Sequence, residues 1–515
     1  MTANVATVPA GHTALMLGRG IRTAAARVPD KTALICGAQT RSYRQLTDRM
    51  ARLGDVACGG FGIAPGDIVA LVAPNCVEYL EIVAGLSDQG AIVATLNPRL
   101  SEAEFAAILA DCAPKLAVVH ADCAAAMAAL AAARVPSLTL GPAYEQALAD
   151  AKALAPRAID EQAPFAISYT SGTTGAPKGV LLSHRSRALL FLAMAAEYGC
   201  FGHDDHFLGL APLYHGAGFA FACAPLWFGG CCTVLPHFAA EEVLDHIASG
   251  RPSGVFMVPT HFHRLLALPP ERLARARRGQ RLKAIISNAA ALPQTMKEKI
   301  IAAFGEGLLH ETYGSTEGGI VTNIRPADQL CKPGSVGTPF VAMEVDIRDE
   351  SGAPVPPGTV GELFCRGPYS FSGYLNRPDD TAQALIDGWV GVGDMAVRDT
   401  EGYIAIVDRK KDMVVTGGVN VYPREIEIVI EALPGVADVA VVGLPDAEWG
   451  ERLHAFVVAA PGAALGENDI IAACRARLAR FKVPRGVSMI EALPRSASGK
   501  VLKKALRQRA QGAAT

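Results

Sequence analysis

One loop constrains this chain more than any other stretch. In Tyr169-Thr-Ser-Gly-Thr-Thr-Gly-Ala-Pro-Lys178-Gly179, an apolar strand-like run (Phe165-Ala-Ile-Ser) enters and a second (Val180-Leu-Leu) leaves. Glycines let the main chain turn and present its N–H groups without Cβ obstruction. Successive N–H groups in such a turn form an anion-binding nest. Thr170, Ser171, Thr173 and Thr174 add hydroxyl donors, Lys178 adds a positive charge, and the loop contains no acid. The ligand this suits is a polyphosphate. The string is not a Walker A loop, because Lys178 is followed by Gly179 rather than Ser or Thr and the glycine spacing differs. A loop that opens and closes over phosphates fits better than a rigid one.

Length and charge bound the rest. At 515 residues the chain exceeds one hydrophobic core, so two or more domains are expected. A formal net charge of −2 gives no general attraction to nucleic acid or to membrane surfaces. The 12 cysteines are scattered without a C-x-x-C pair, which reads as reduced thiols in a cytoplasmic protein. Residues 1–20 lack the basic and apolar regions of a signal peptide. From Phe207 to Ala240 there is no Asp, Glu, Lys or Arg, yet Pro212, Pro225 and Pro236 interrupt the run. It is too broken for a membrane span, and it reads as buried wall. His203, His206 and His215 have no acidic partner at metal-ligand spacing.

Hydrophobic periodicity sets the fold class. Thr32-Ala-Leu-Ile-Cys, Ile68-Val-Ala-Leu-Val and Leu116-Ala-Val-Val read as buried strands, with helical spacing from Tyr43 and from Glu78 between them. That alternation predicts an α/β fold with a largely parallel sheet. Residues 334–408 carry short β-like runs cut by Gly and Pro, which suggests a small β-rich subdomain. Past Asp408, the charged connector Arg409-Lys-Lys-Asp412 leads into about a hundred residues with their own α+β pattern. The expected organisation is a large N-terminal domain over 1–408 and a small mobile C-terminal domain over 409–515.

With these stretches in order, the chain resembles the adenylate-forming superfamily of acyl-CoA synthetases, adenylation domains and luciferases. The resemblance rests on the loop above, Tyr313-Gly-Ser-Thr-Glu317, Gly388-Trp-Val-Gly-Val-Gly-Asp394, Asp408-Arg-Lys-Lys-Asp412, Gly417-Gly-Val-Asn420 and Pro494-Arg-Ser-Ala-Ser-Gly-Lys500. It implies that Thr170, Ser171, Gly172, Thr173, Thr174, Gly175 and Lys178 cover the phosphates of ATP. Tyr313, flanked by Gly314 and Thr316, is similar to the residue that packs on adenine, with the main chain at Asn288, Ala289 and Ala290 beside it. The family usually has glycine at positions 288 and 289. Asp394 and Arg409 resemble the pair that holds the ribose, and Glu317 the carboxylate that binds Mg²⁺. Lys500 resembles the lysine that bridges the carboxylate and the α-phosphate.

The resemblance further implies two half-reactions: carboxylate and ATP give acyl-AMP and pyrophosphate, then coenzyme A gives the thioester and AMP. Family members rotate the small domain between them, and Lys411 sits at the hinge position. Gly417, Gly418, Asn420 and Trp449 would then line a pantetheine passage, with Arg99 and Phe481 at the CoA nucleotide. His215 resembles the gate between the acid and thiol channels. The substrate expected is a fatty or aromatic monocarboxylate, since the 207–240 segment offers no charge for a second carboxylate. Rival expectations are a stand-alone enzyme loading a carrier protein and a nucleotide-binding module without turnover. A homodimer is compatible with the sequence.

Overall fold

A computed structural model describes residues 14–171, 177–416, 419–446, 449–463, 465–495 and 501–512. Two sheets dominate it, one of nine strands and one of seven. The seven-stranded sheet runs parallel through Val69, Val93, Leu116 and Ala166, and ends in an antiparallel hairpin. That hairpin pairs Pro164–Ser171 with Pro177–Ser183, the described parts of the Gly/Thr-rich motif. The strands expected at Thr32–Cys36, Ile68–Val72 and Leu116–Val119 are present. Their runs of apolar residues fit strands covered on both faces.

Helices pack against these sheets. Tyr43–Asp55 starts at a Ser42–Gln45 capping box, and Glu102–Cys112 at a Ser101–Glu104 box. The helix leaving the loop hairpin, His184–Tyr198, is capped by the Ser183 hydroxyl and stops at Gly199, whose φ is 61°. The uncharged stretch becomes a strand, His206–Gly209, a helix, Gly216–Phe228, and a strand, Cys231–Val234. The helix is apolar all round because it is buried, not because it crosses a membrane. Among the described residues no helix is long and apolar enough to span one. Gly218 is needed there, since a Cβ would lie 2.1 Å from the Pro212 carbonyl oxygen.

The β-rich region expected after residue 334 is a five-stranded antiparallel-rich sheet. Residues 414–489 form another five-stranded sheet, packed with helices Pro423–Glu431, Glu467–Arg477 and Lys503–Gly512 around separate apolar clusters. A large N-terminal part and a small C-terminal one are therefore distinct bodies, each with its own core. At their junction the half-buried Asp408 accepts from the Arg424 N–H at 2.9 Å, and Arg507 pairs with Asp412 at 2.9 Å. Every described cysteine is a free thiol, and most are buried.

Candidate active site

The hairpin strand Pro177–Ser183 brings Lys178 to a shared corner of the large domain. A two-residue strand, Gly373–Tyr374, pairs antiparallel with Val180 and Leu181 and delivers Tyr374 beside it. The Lys178 ammonium lies 5.2 Å from the Tyr374 ring centroid and 2.9 Å from Asp380. The Tyr374 hydroxyl donates to Glu317 at 2.9 Å, and the Phe371 N–H donates to the Glu317 carbonyl at 2.8 Å. Burial and the Glu317 charge push the Tyr374 hydroxyl pKa up, so it remains a donor. One cation, one phenol and two carboxylates thus meet at the mouth of the loop. Glu317 is a hard oxygen donor that shares the Tyr374 side chain with Lys178, and one such carboxylate fits a magnesium ion retaining most of its waters.

A second cluster lies on the Leu309–Ser315 strand. Gly314 sits at a register shift in that strand, where a Cβ would meet the Gly319 carbonyl oxygen at 2.0 Å. The Tyr313 hydroxyl donates to Asp394, and Arg409 Nε lies 2.6 Å from the other Asp394 oxygen. Asp394 and Arg409 are direct cross-strand neighbours, and Asp394 is 2% exposed. Burial and the Asp394 charge hold the Tyr313 pKa well above its ordinary value. The residues expected at adenine and ribose therefore stand together, 81 positions apart in sequence.

The 288–292 loop is bound to the same strand. Asn288 Nδ2 donates to Thr312 Oγ1 at 2.7 Å, and the Leu292 N–H donates to Glu311 at 2.8 Å. Glu311 in turn forms a fully buried ion pair with Lys297 at 2.5 Å. Ala289 takes φ of 78°, a left-handed conformation that disfavours a Cβ. The fold keeps a glycine geometry where the chain has alanine. Ala289→Gly is expected to raise unfolding free energy by roughly 0.5–1 kcal/mol, read as a higher urea midpoint, because released strain outweighs the added entropy of glycine. A lower midpoint would contradict the strain.

The turn before the wall helix is fixed from the other sheet. Asn75 Nδ2 donates to the carbonyls of Ala211 at 3.1 Å and Leu235 at 3.0 Å, while its Oδ1 accepts from the Leu213 N–H at 2.8 Å. His215 is the residue preceding the wall helix, its ring 4.5 Å from Tyr214. Burial raises the Tyr214 hydroxyl pKa, and Arg99 is exposed. In the small domain Trp449 is 37% exposed with the Arg485 guanidinium 4.7 Å from its ring, and Phe481 is 45% exposed. Lys411 is exposed on the one-turn helix Lys410–Asp412. Residues 172–176, Gly417, Gly418 and Lys500 lie outside the described residues, as do the side chains of Ser171 and Asn420. Thr170 and Thr316 are half-buried beside the two clusters. Among the described residues no group of His, Cys, Asp and Glu could hold a metal ion by itself.

Sequence reading missed Asn75, Lys297, Glu311, Tyr374 and Asp380. Tyr374 had a local signal, the turn-rich Ser372-Gly-Tyr-Leu-Asn run; the others act through partners far along the chain.

A large body and a small one, with Tyr313, Asp394 and Arg409 gathered in one cluster and Lys178, Tyr374 and Glu317 in another, agree with what comparison with known proteins finds. Residues 21–375 match the AMP-binding enzyme family, and residues 425–500 match the AMP-binding enzyme C-terminal domain. The chain belongs to this family. It is 36% identical over 490 residues to a feruloyl-CoA synthase of an Amycolatopsis species, covering 93% of this chain and 96% of that one. It is 35% identical to the long-chain-fatty-acid–CoA ligase FadD13 of Mycobacterium tuberculosis, over 91% of this chain and 92% of the relative. The ATP-bound crystal structure of MatB from Rhodopseudomonas palustris superposes with a TM-score of 0.90 at 32% identity, over 96% and 99% of the two chains.

Proposed function

We propose that this chain activates a fatty or aromatic monocarboxylate, with the two clusters above sharing the work. It is an AMP-forming acid–thiol ligase: the carboxylate attacks the α-phosphorus of ATP, pyrophosphate leaves, and coenzyme A then displaces AMP from the acyl-AMP. No covalent enzyme nucleophile is required, so positioning and charge neutralisation carry the catalysis. The observation that carries this reading is the convergence of Lys178, Tyr374 and Glu317 at the mouth of the loop hairpin.

Lys178 pairs with Asp380. A triphosphate entering beneath the 170–178 loop competes for that ammonium, so Lys178 moves from carboxylate to phosphate. Glu317 would hold Mg²⁺ against the same phosphates, where the ion neutralises their charge. Tyr313 packs on adenine, Asp394 accepts from the ribose hydroxyls, and Arg409 donates to them. Thr170 through Gly175, Gly314, Thr316 and the main chain at Asn288–Ala290 complete the nucleotide seat. His215 gates the acid channel from the thiol channel.

The division of the chain proposed here places the hinge near Lys411, with 1–408 and 409–515 on either side. Lys500 then serves the first half-reaction. Rotation replaces it with Gly417, Gly418 and Asn420 beside the thiol passage, where Trp449 packs on pantetheine. Arg99 and Phe481 contact the nucleotide end of CoA; both are exposed, which supports this.

A pyrophosphate-release screen across fatty and aryl acids, with and without CoA, tests the reading. AMP accumulation that depends on both a monocarboxylate and free CoA is the expected result. Turnover only with a carrier protein, or pyrophosphate release with no acid, would overturn it.

A further inference from the structure

The loop-exit helix His184–Tyr198 and the wall helix Gly216–Phe228 pack with a regular pairing of side chains. His184 and Phe219 both contact the Phe165 ring, at 5.7 and 6.0 Å, and Phe191 meets Trp227 at 6.0 Å. Arg187 and Cys223 fall between those contacts, each one turn on. Arg187 is 8% exposed, its Nε is enclosed without a hydrogen-bond partner, and no carboxylate among the described residues pairs with it. The Cys223 thiol beside it is pushed up to about 12 by burial and so is neutral. Burial lowers the Arg187 pKa only to about 10, so the guanidinium remains a cation at neutral pH. A buried cation without a counter-ion, one of whose N–H groups is enclosed without an acceptor, is rare in a folded protein unless a ligand completes it. This one stands against the inner helix two turns beyond His215, outside the uncharged 207–240 segment from which the absence of a second charge was read.

We propose that Arg187 is a specificity-determining residue for the acid: its guanidinium takes an oxygen acceptor, neutral or anionic, at the substrate end remote from the reacting carboxylate. The proposal rests on the acyl-CoA synthetase reading above and names the distal chemistry of its substrate. A planar fork of donors suits carbonyl, hydroxyl and carboxylate oxygens alike, and a site built to hydrogen-bond such a group rejects the analogue lacking it.

The test is pyrophosphate release with matched acids: octanoate, its ω-keto analogue and octanedioate, and cinnamate with its para-hydroxy analogue. In the wild-type enzyme kcat/KM should favour an acceptor-bearing acid over its parent by about tenfold or more. Preference for octanedioate assigns an anionic acceptor; preference for the keto or hydroxy acid assigns a neutral one. Arg187→Met should bring that ratio close to one while the KM for ATP stays unchanged, and Arg187→Lys should fall between. No preference in any pair, or a loss in Arg187→Met that is equal for every acid, overturns the proposal. If Arg187→Met does not fold, the wild-type and Arg187→Lys ratios decide alone. Wild-type enzyme that binds ATP but releases no pyrophosphate with any fatty or aryl acid would instead defeat the synthetase reading itself.

Discussion

Lys500→Ala should reduce acyl-AMP formation by about 10²–10³-fold, the scale on which removing one preorganised charge donor acts, while supplied acyl-AMP is still converted to thioester. Two anions must approach in the first half-reaction, and a cation between them removes the repulsion that dominates the barrier. In the second half-reaction a thiol attacks a neutral acyl carbon and that cation has no partner. Pyrophosphate exchange measures the first step, and consumption of synthetic acyl-AMP with CoA measures the second. An equal loss in both assays would mean that Lys500 supports the small domain rather than the chemistry.

The other large effect is on stability. Glu311→Leu strands the Lys297 ammonium, 1% exposed, without a counter-charge. Breaking a buried pair from one side costs about 3–5 kcal/mol, whereas replacing both partners by apolar groups is often neutral. Glu311→Leu should therefore lower the urea midpoint sharply, and adding Lys297→Met should recover most of the loss. Glu311 also accepts from the Leu292 N–H, so the double variant, though refolded, should keep a raised KM for ATP. A single variant that loses less than about 1 kcal/mol, or a double variant no better than the single, would show that the pair does not stabilise the strand.

What could be read in advance follows from where each signal resides. The strands at Thr32, Ile68 and Leu116 and the helices at Tyr43 and Glu78 announce themselves through local periodicity and caps. The uncharged 207–240 run was legible as wall for the same reason. The nucleotide residues were legible only as short strings, because nothing in Tyr313-Gly-Ser-Thr-Glu317 tells that its phenol meets a carboxylate 81 positions on. Asn75 is an unremarkable polar residue after a strand until the structure sets it 138 positions from the Leu213 N–H it receives. Lys297 lies on an exposed-looking helix, Gln294–Phe304, and only tertiary packing closes over it. Arg187 was passed over because an arginine in a helix is normally solvated.

One register has a mechanical meaning. Asp394 and Arg409 face each other across a single hairpin, and Lys410 and Lys411 continue from its outgoing strand without a break. Under the roles proposed for them, the grip on the sugar and the axle of the moving lobe are cut from one ribbon. A nucleoside seated there braces the axle at its root, so an occupied seat and an empty one present the swinging lobe with bearings of different stiffness.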